Sequence, residues 1–333
     1  MLKTVLIALA LFSAASLAQD PNLHIYLAYG QSNMQGVAPY IDADFETNPR
    51  FLVLRAADFS DQKVGEFYLA KPPMGNSQSM VGISDFFGRK MVEELPDSIT
   101  VAVANVAIGG QSIDLFDKDR NTAYLERMRS HGTTWWWIPL LNEYGGDVYR
   151  RLVEVGKIAR KKGVIKGILF HQGEADYNMP DWPQRVKKVY YDLLYDLNLD
   201  PKKTPILIGE LAPTGDFGWR NIAVKIAAGM IPNGHLISAE GCSVQKETDP
   251  VTHETFLLHY TREGYKILGE RYAEKMLELL REQAVADSLD KMYHKEFVKP
   301  KLYYDVRKQA LFIHLKKHGK IYSYQLTGRR KNE

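Results

Sequence analysis

Short apolar runs alternate with stretches of helical spacing along some 250 residues of this chain, and that alternation constrains the fold more than any other feature. The runs His24–Tyr29, Ile99–Val106, Ile165–Phe170, Pro205–Leu211 and His235–Ala239 have the length and near-continuous hydrophobicity of strands buried on both faces. Between them, Asp147–Lys161 puts Val148, Leu152, Val155 and Ile158 on one helical face. Gln184–Leu197, Trp219–Met230 and Thr261–Arg281 behave similarly. This predicts an α/β domain with a mostly parallel sheet and helices on both sides. In such sheets ligands bind beyond the carboxyl ends of the strands, so residues just after each strand are where chemistry is sought.

The two ends of the chain read differently. Lys3, the apolar stretch Thr4–Phe12 and the small-x-small triplet Ser16-Leu17-Ala18 have the form of a cleavable export signal covering residues 1–18. The stretch is well short of the roughly 20 residues of a membrane span, and no later run approaches that length. A secreted or periplasmic protein is expected, its main domain spanning 19–284. Residues 285–333 hold 12 Lys and Arg against 5 Asp and Glu, a basic bias absent from the rest of the chain. Leu302–Val306, Ala310–Leu315 and Ile321–Leu326 alternate like short antiparallel strands, with turns at Arg307-Lys308-Gln309 and Lys317-His318-Gly319. A small β appendage is predicted there. The overall charge of +3 gives no argument for nucleic acid. The single cysteine, Cys242, excludes an internal disulfide and reads as a small buried hydrophobe.

Four segments carry the candidate chemistry. Gly30-Gln31-Ser32-Asn33-Met34 follows the first strand, where a serine can stand on a tight turn at the start of a helix. Alone, Ser32 reads as a helix N-cap as well as a nucleophile. Gly109-Gly110 follows the second strand; it is either a plain turn or a place where a backbone N–H approaches a ligand. His171-Gln172-Gly173-Glu174-Ala175-Asp176 follows the third and offers an amide and two carboxylates. A metal reading of His171, Glu174 and Asp176 lacks the accompanying ligand pattern. His259 stands just before the last helix, with Thr261 as its N-cap, and histidine is the general base a serine nucleophile needs near neutral pH.

Taken in order, these segments and the run Gly264-Tyr265-Lys266-Ile267-Leu268-Gly269 resemble the SGNH hydrolase superfamily over roughly residues 22–280. Within it the chain is similar to the sialate O-acetylesterase domain, grouped with the acetylxylan esterases of carbohydrate esterase family six. The resemblance implies a three-layer α/β/α sandwich with a five-stranded parallel sheet, no metal and no cofactor. It implies Ser32 as nucleophile and His259 as general base. The oxyanion hole would comprise the N–H groups of Ser32 and Gly110 and the side chain of Gln172. An acetylated carbohydrate would be the substrate, with Gln31, Asn33 and Trp135 expected to contact it. Trp136, Trp137, Trp182 and Trp219 either line a sugar site or pack in the core. One departure stands out: where the superfamily carries Asp three residues before the base, this chain has Phe256. Glu174 is then the first choice for the acid that orients His259, followed by Glu254, Asp249 or a dyad without an acid. Phe256 motivates a second reading, an impaired carbohydrate-binding protein on the same fold; a third, independent of it, is a serine esterase for short non-sugar esters.

Overall fold

The structure, a computed structural model, describes residues 19–132, 135–248, 253–296, 298–305, 310–317 and 320–326. The expected export signal lies outside the described residues. The chain divides into two compact units, Met1–Leu277 and Glu278–Glu333.

The first unit is built on one sheet of seven strands. In chain order these are β1 (Leu23–Gly30), β2 (Phe51–Leu54), β3 (Phe67–Leu69), β4 (Thr100–Ala107), β5 (Val164–His171), β6 (Ile206–Gly209) and β7 (Gly234–Ile237), arranged β3-β2-β4-β1-β5-β6-β7. All adjacent pairs are parallel except β2 with the edge strand β3. The five predicted strands form the contiguous set β4-β1-β5-β6-β7. The sheet is larger than expected because β2 and β3, too short to give a clear apolar run, extend it on one side. Central β1 is buried over nearly its whole length, which is why it reads as continuously apolar.

The helices are α1 (Ser32–Gln35), α2 (Ile83–Glu94), α3 (Asn121–Ser130), α4 (Ile138–Glu143), α5 (Val148–Lys162), α6 (Trp182–Asp196), α7 (Asn221–Met230) and α8 (Arg262–Glu296). Alternate residues of the sheet go to opposite layers. Leu27, Tyr29, Ala104 and Phe170 share one core with Leu152 of α5, Val189 of α6 and Val224 of α7. The opposite face receives Phe87 of α2, which meets Tyr26 edge-on, and the first part of α8, whose Tyr272 hydroxyl donates to the Phe170 carbonyl at 2.7 Å. The result is a three-layer α/β/α sandwich. Among the described residues no helix is long and apolar enough to cross a membrane. Cys242 is buried and unpaired, and burial pushes its thiol up to about 11.

One hairpin lies outside the main sheet: β8 (Val244–Thr248) pairs antiparallel with β9 (Thr255–Tyr260). Val244 faces Tyr260 while Lys246 faces Leu257, so β9 carries one extra residue between those pairs. This bulge contains His259. Bulges bend a strand and re-aim a side chain, and they recur beside active sites for that reason.

The second unit contains the remainder of α8 and three further strands, β10 (Val298–Asp305), β11 (Ala310–Lys317) and β12 (Lys320–Leu326). They form a separate antiparallel sheet in the order β10-β11-β12. The tail therefore has the strand content read from its alternation. Its expected turn at Arg307-Lys308-Gln309, and His318-Gly319 of the second, lie outside the described residues. The division at Glu278 falls within a helix that runs well past Arg281, earlier than the predicted start of the appendage at 285.

Candidate active site

Three strand ends converge at the carboxyl edge of the sheet. β1 ends at Gly30, packed so closely on β5 that a Cβ there would lie 2.0 Å from the His171 carbonyl oxygen. Glycine is therefore required for the chain to turn beside its neighbour. Gln31 then donates its N–H to that same carbonyl, and Ser32 opens the single turn of α1. As the first residue of a helix, Ser32 has an N–H with no intrahelical acceptor. Gln31, not Ser32, holds the cap position.

The Ser32 hydroxyl lies 2.8 Å from Nε2 of His259. The other ring nitrogen of His259, Nδ1, lies 2.6 Å from Oε1 of Glu247. Glu247 Oε1 also accepts from the Gln245 side chain at 2.5 Å. A hydroxyl, an imidazole and a carboxylate thus form one continuous relay, the arrangement in which a base takes the hydroxyl proton while an acid fixes its tautomer. Thr261 caps α8 by accepting from the Gly264 N–H at 3.1 Å, which holds the end of β9 against the helix.

The carboxylate is a residue the sequence reading missed. Phe256 occupies the usual acid position, and Glu247 is its cross-strand partner in the hairpin. The acid has in effect moved to the neighbouring strand. Glu174, the expected acid, does not touch His259. It is buried behind the nucleophile turn, where Oε1 accepts from Asn33 Nδ2 at 2.8 Å. Asp249 lies outside the described residues, and Glu254 is not the group on Nδ1.

Three further expectations are corrected by hydrogen bonding. Gln31 is buried, and its side-chain oxygen accepts from the N–H groups of Gly173 and Ala175 and from Gln172, so it pins the β5 loop instead of facing a substrate. Asn33 is fully buried, with its amide spent on protein partners. Gln172 directs Nε2 to Asp176 at 2.6 Å, the Gln111 carbonyl at 3.2 Å and Gln31 at 3.3 Å. An amide has two N–H bonds, and these acceptors already occupy both. Trp182 is core, and its indole N–H holds the Gln172 oxygen at 2.6 Å. His171, Glu174 and Asp176 do not converge as a ligand set, because Asp176 turns away to Gln172 and the Ile113 N–H.

The Gly109-Gly110 loop does approach the nucleophile. Gly109 donates its N–H to Gln35 at 2.9 Å, and a Cβ on Gly109 would lie 3.3 Å from that of Ser32. Gly110 takes a left-handed conformation (φ 67°), with the Trp136 ring edge 3.2 Å from where its Cβ would be. Trp136 is therefore the aromatic at this loop. Trp135 is 80% exposed and Trp137 is buried in the core. A cleft of about 400 Å³ runs from Gly110, lined by Ser112, Tyr124, Arg127, Tyr177 and Met179. That size suits a small organic ligand. The Arg127 guanidinium lies over the Tyr124 ring.

The family model for carbohydrate esterases of the sialic acid-specific acetylesterase type matches residues 22–278. The chain belongs to this family. The match covers the first unit almost entirely and includes the serine, the Gly-Gly loop, the His-Gln-Gly-Glu segment and His259. Two solved structures share the fold. A protein from Arabidopsis thaliana is 21% identical, with 78% of this chain and 99% of that one aligned and a TM-score of 0.55. NanS is 16% identical, with 79% and 99% aligned and a TM-score of 0.52. This esterase is thus a carboxylic ester hydrolase with an SGNH-type sandwich.

Electrostatics separate the two glutamates of this esterase. Burial pushes the Glu174 carboxyl up to about 7, against the opposing effect of the Asn33 hydrogen bond. Neighbouring His171 is driven down to about 3 by burial, so it provides no counter-charge at neutral pH. The folded value for Glu174 lies above the ordinary one, so the native state retains a proton that the unfolded chain gives up. Its contribution to stability is then greatest below the ordinary carboxyl range, falls as pH rises toward 7 and stays reduced above. Glu174→Gln keeps an acceptor for Asn33 without the charge. In denaturant titrations its stability advantage over wild type is expected to grow by about 1–2 kcal/mol between about pH 5 and about pH 8.

Proposed function

We propose that this esterase removes O-acetyl groups from carbohydrate through an acetyl-Ser32 intermediate. The observation that carries the proposal is the unbroken relay from Ser32 Oγ through His259 to Glu247. His259 Nε2 takes the hydroxyl proton as Ser32 attacks the acetyl carbonyl, and Glu247 holds the Nδ1 proton and stabilises the resulting imidazolium. Negative charge develops on the former carbonyl oxygen, and the N–H groups of Ser32 and Gly110 are assigned as its donors. The sugar hydroxyl leaves with the proton from His259. Water, deprotonated by His259, then adds to the acetyl group and releases acetate, returning Ser32.

The cleft beside Gly110, with Trp136 at the loop and Arg127 on Tyr124, supports a sugar leaving group. Sialic acid is the favoured sugar, because the matching family is defined by it. Export is proposed from the residue 1–18 signal alone. The impaired binding-protein reading rested on Phe256, and Glu247 removes its motive.

The test is acetate release from O-acetylated sialic acid, acetylated xylan, p-nitrophenyl acetate and a long-chain p-nitrophenyl ester. Faster turnover of an acetylated sugar than of the long-chain ester is expected, with O-acetyl sialic acid preferred over xylan. Preference for the long-chain ester would overturn the carbohydrate assignment.

A further inference from the structure

We infer that Asn33 and Glu174 form a positioning pair that sets the general base: Asn33 clamps the backbone on both sides of His259, and Glu174 holds Asn33 by accepting its remaining N–H. The inference rests on the functional reading above, and it gives the buried glutamate a task other than orienting the imidazole.

Asn33 Nδ2 donates to the carbonyl of Leu258 at 3.2 Å, and Asn33 Oδ1 accepts from the N–H of Tyr260 at 3.4 Å. These two peptide groups flank His259. They lie at the bulge of β9, and because the Thr261 N–H donates to the Ser243 carbonyl of the β8 side, the Leu258 carbonyl and the Tyr260 N–H face away from β8, where the Asn33 amide meets them. The Leu258 carbonyl and the Tyr260 N–H also fix which way the amide points, since one must face nitrogen and the other oxygen. With that orientation set, the second N–H of Asn33 must find an acceptor in a buried place, and Glu174 Oε1 at 2.8 Å is it. The Tyr265 hydroxyl completes the set by donating to Oδ1 at 2.7 Å. All four hydrogen-bonding positions of the amide are filled.

Asn33 also directly follows Ser32. One side chain therefore ties the nucleophile turn to the strand that carries the base, and the 2.8 Å Ser32–His259 distance depends on both. The role asked of Glu174 is to accept one hydrogen bond. A carboxylate, a carboxylic acid and a primary amide can each do so, and for that reason glutamine should substitute.

The experiment compares Glu174→Gln, Glu174→Ala, Asn33→Ala, Asn33→Asp and the double variant Asn33→Asp with Glu174→Gln. kcat and KM are measured on p-nitrophenyl acetate. Folding is checked by thermal melting. The His259 ring is followed by ¹⁵N NMR, assigned against His259→Asn. Glu174→Gln is expected within about threefold of wild-type kcat, whereas Glu174→Ala and Asn33→Ala fall by about 10- to 100-fold in kcat at nearly constant KM. Asn33→Asp places a second acceptor against Glu174 and Leu258 and should fall further. The added Glu174→Gln restores a donor and should recover part of that loss. In the clamp-deficient variants the His259 signals are expected to broaden or shift. Loss in Glu174→Gln as large as in Glu174→Ala would overturn the inference, since it would require the charge. So would folded alanine variants with wild-type kcat and an unchanged His259 spectrum. If wild type turned over no ester, the functional reading would fail, and the His259 spectra would still decide whether the clamp exists.

Discussion

Ser32→Ala is expected to reduce acetate release by on the order of 10⁴-fold or more in kcat while leaving the protein folded. The Ser32 hydroxyl has one role visible in the structure, its contact with His259 Nε2, and the residue is small and follows the carboxyl end of a strand. Removing the oxygen deletes the atom that would carry the acetyl group. What remains is the pair of N–H donors and the cleft, which in serine hydrolases of this type sustain only a small residual rate over water. The measurement is acetate release from O-acetyl sialic acid, with the thermal midpoint as control. The midpoint should move little, because a methyl group fits where CH₂OH stood.

Glu247→Gln is expected to lower kcat by about 10²–10⁴-fold, with a much smaller effect on KM. The carboxylate accepts from Nδ1 and thereby leaves Nε2 as the basic nitrogen facing Ser32. A glutamine amide can donate to Nδ1 instead, which favours the wrong tautomer, and it cannot balance the charge of the imidazolium. Both side chains are partly exposed, 15% for His259 and 23% for Glu247, so water screens the pair and the lower part of the range applies if solvent substitutes for the acid. The contrast with Glu174→Gln is the informative part. Two glutamates near one serine are exchanged for the same amide, and only the one on Nδ1 should abolish most of the rate.

The sequence made the scaffold legible where burial is uniform. β1, β4 and β5 are enclosed on both faces, so they read as apolar runs and the motifs after them could be placed at strand ends. Phe51–Leu54 and Phe67–Leu69 were too short to stand out. The hairpin was opaque for a different reason. β8 reads Val-Gln-Lys-Glu-Thr, is only partly buried and carries no apolar alternation. Without that hairpin Glu247 has no reason to meet a histidine twelve positions later. The one available hint was Phe256 itself: a missing acid on one strand invites a search of residues that could lie across from it. Side-chain direction was the other limit. Gln31, Asn33 and Gln172 sit at the expected strand ends, but the sequence does not reveal that each amide is satisfied by the protein. The difference between contacting a substrate and supporting residues that contact it depends on hydrogen bonds between segments more than 60 residues apart.

Covalent labelling tests Ser32 as the nucleophile and His259 as its base in one experiment. The protein, with and without His259→Ala, is treated with a fluorophosphonate and the modified peptide is mapped by mass spectrometry. The phosphonate is expected on Ser32 in wild type, with labelling slowed by orders of magnitude in His259→Ala. A wild-type protein that hydrolyses acetyl esters while Ser32 stays unlabelled, or that is labelled at another residue with loss of activity, would exclude Ser32 as the nucleophile.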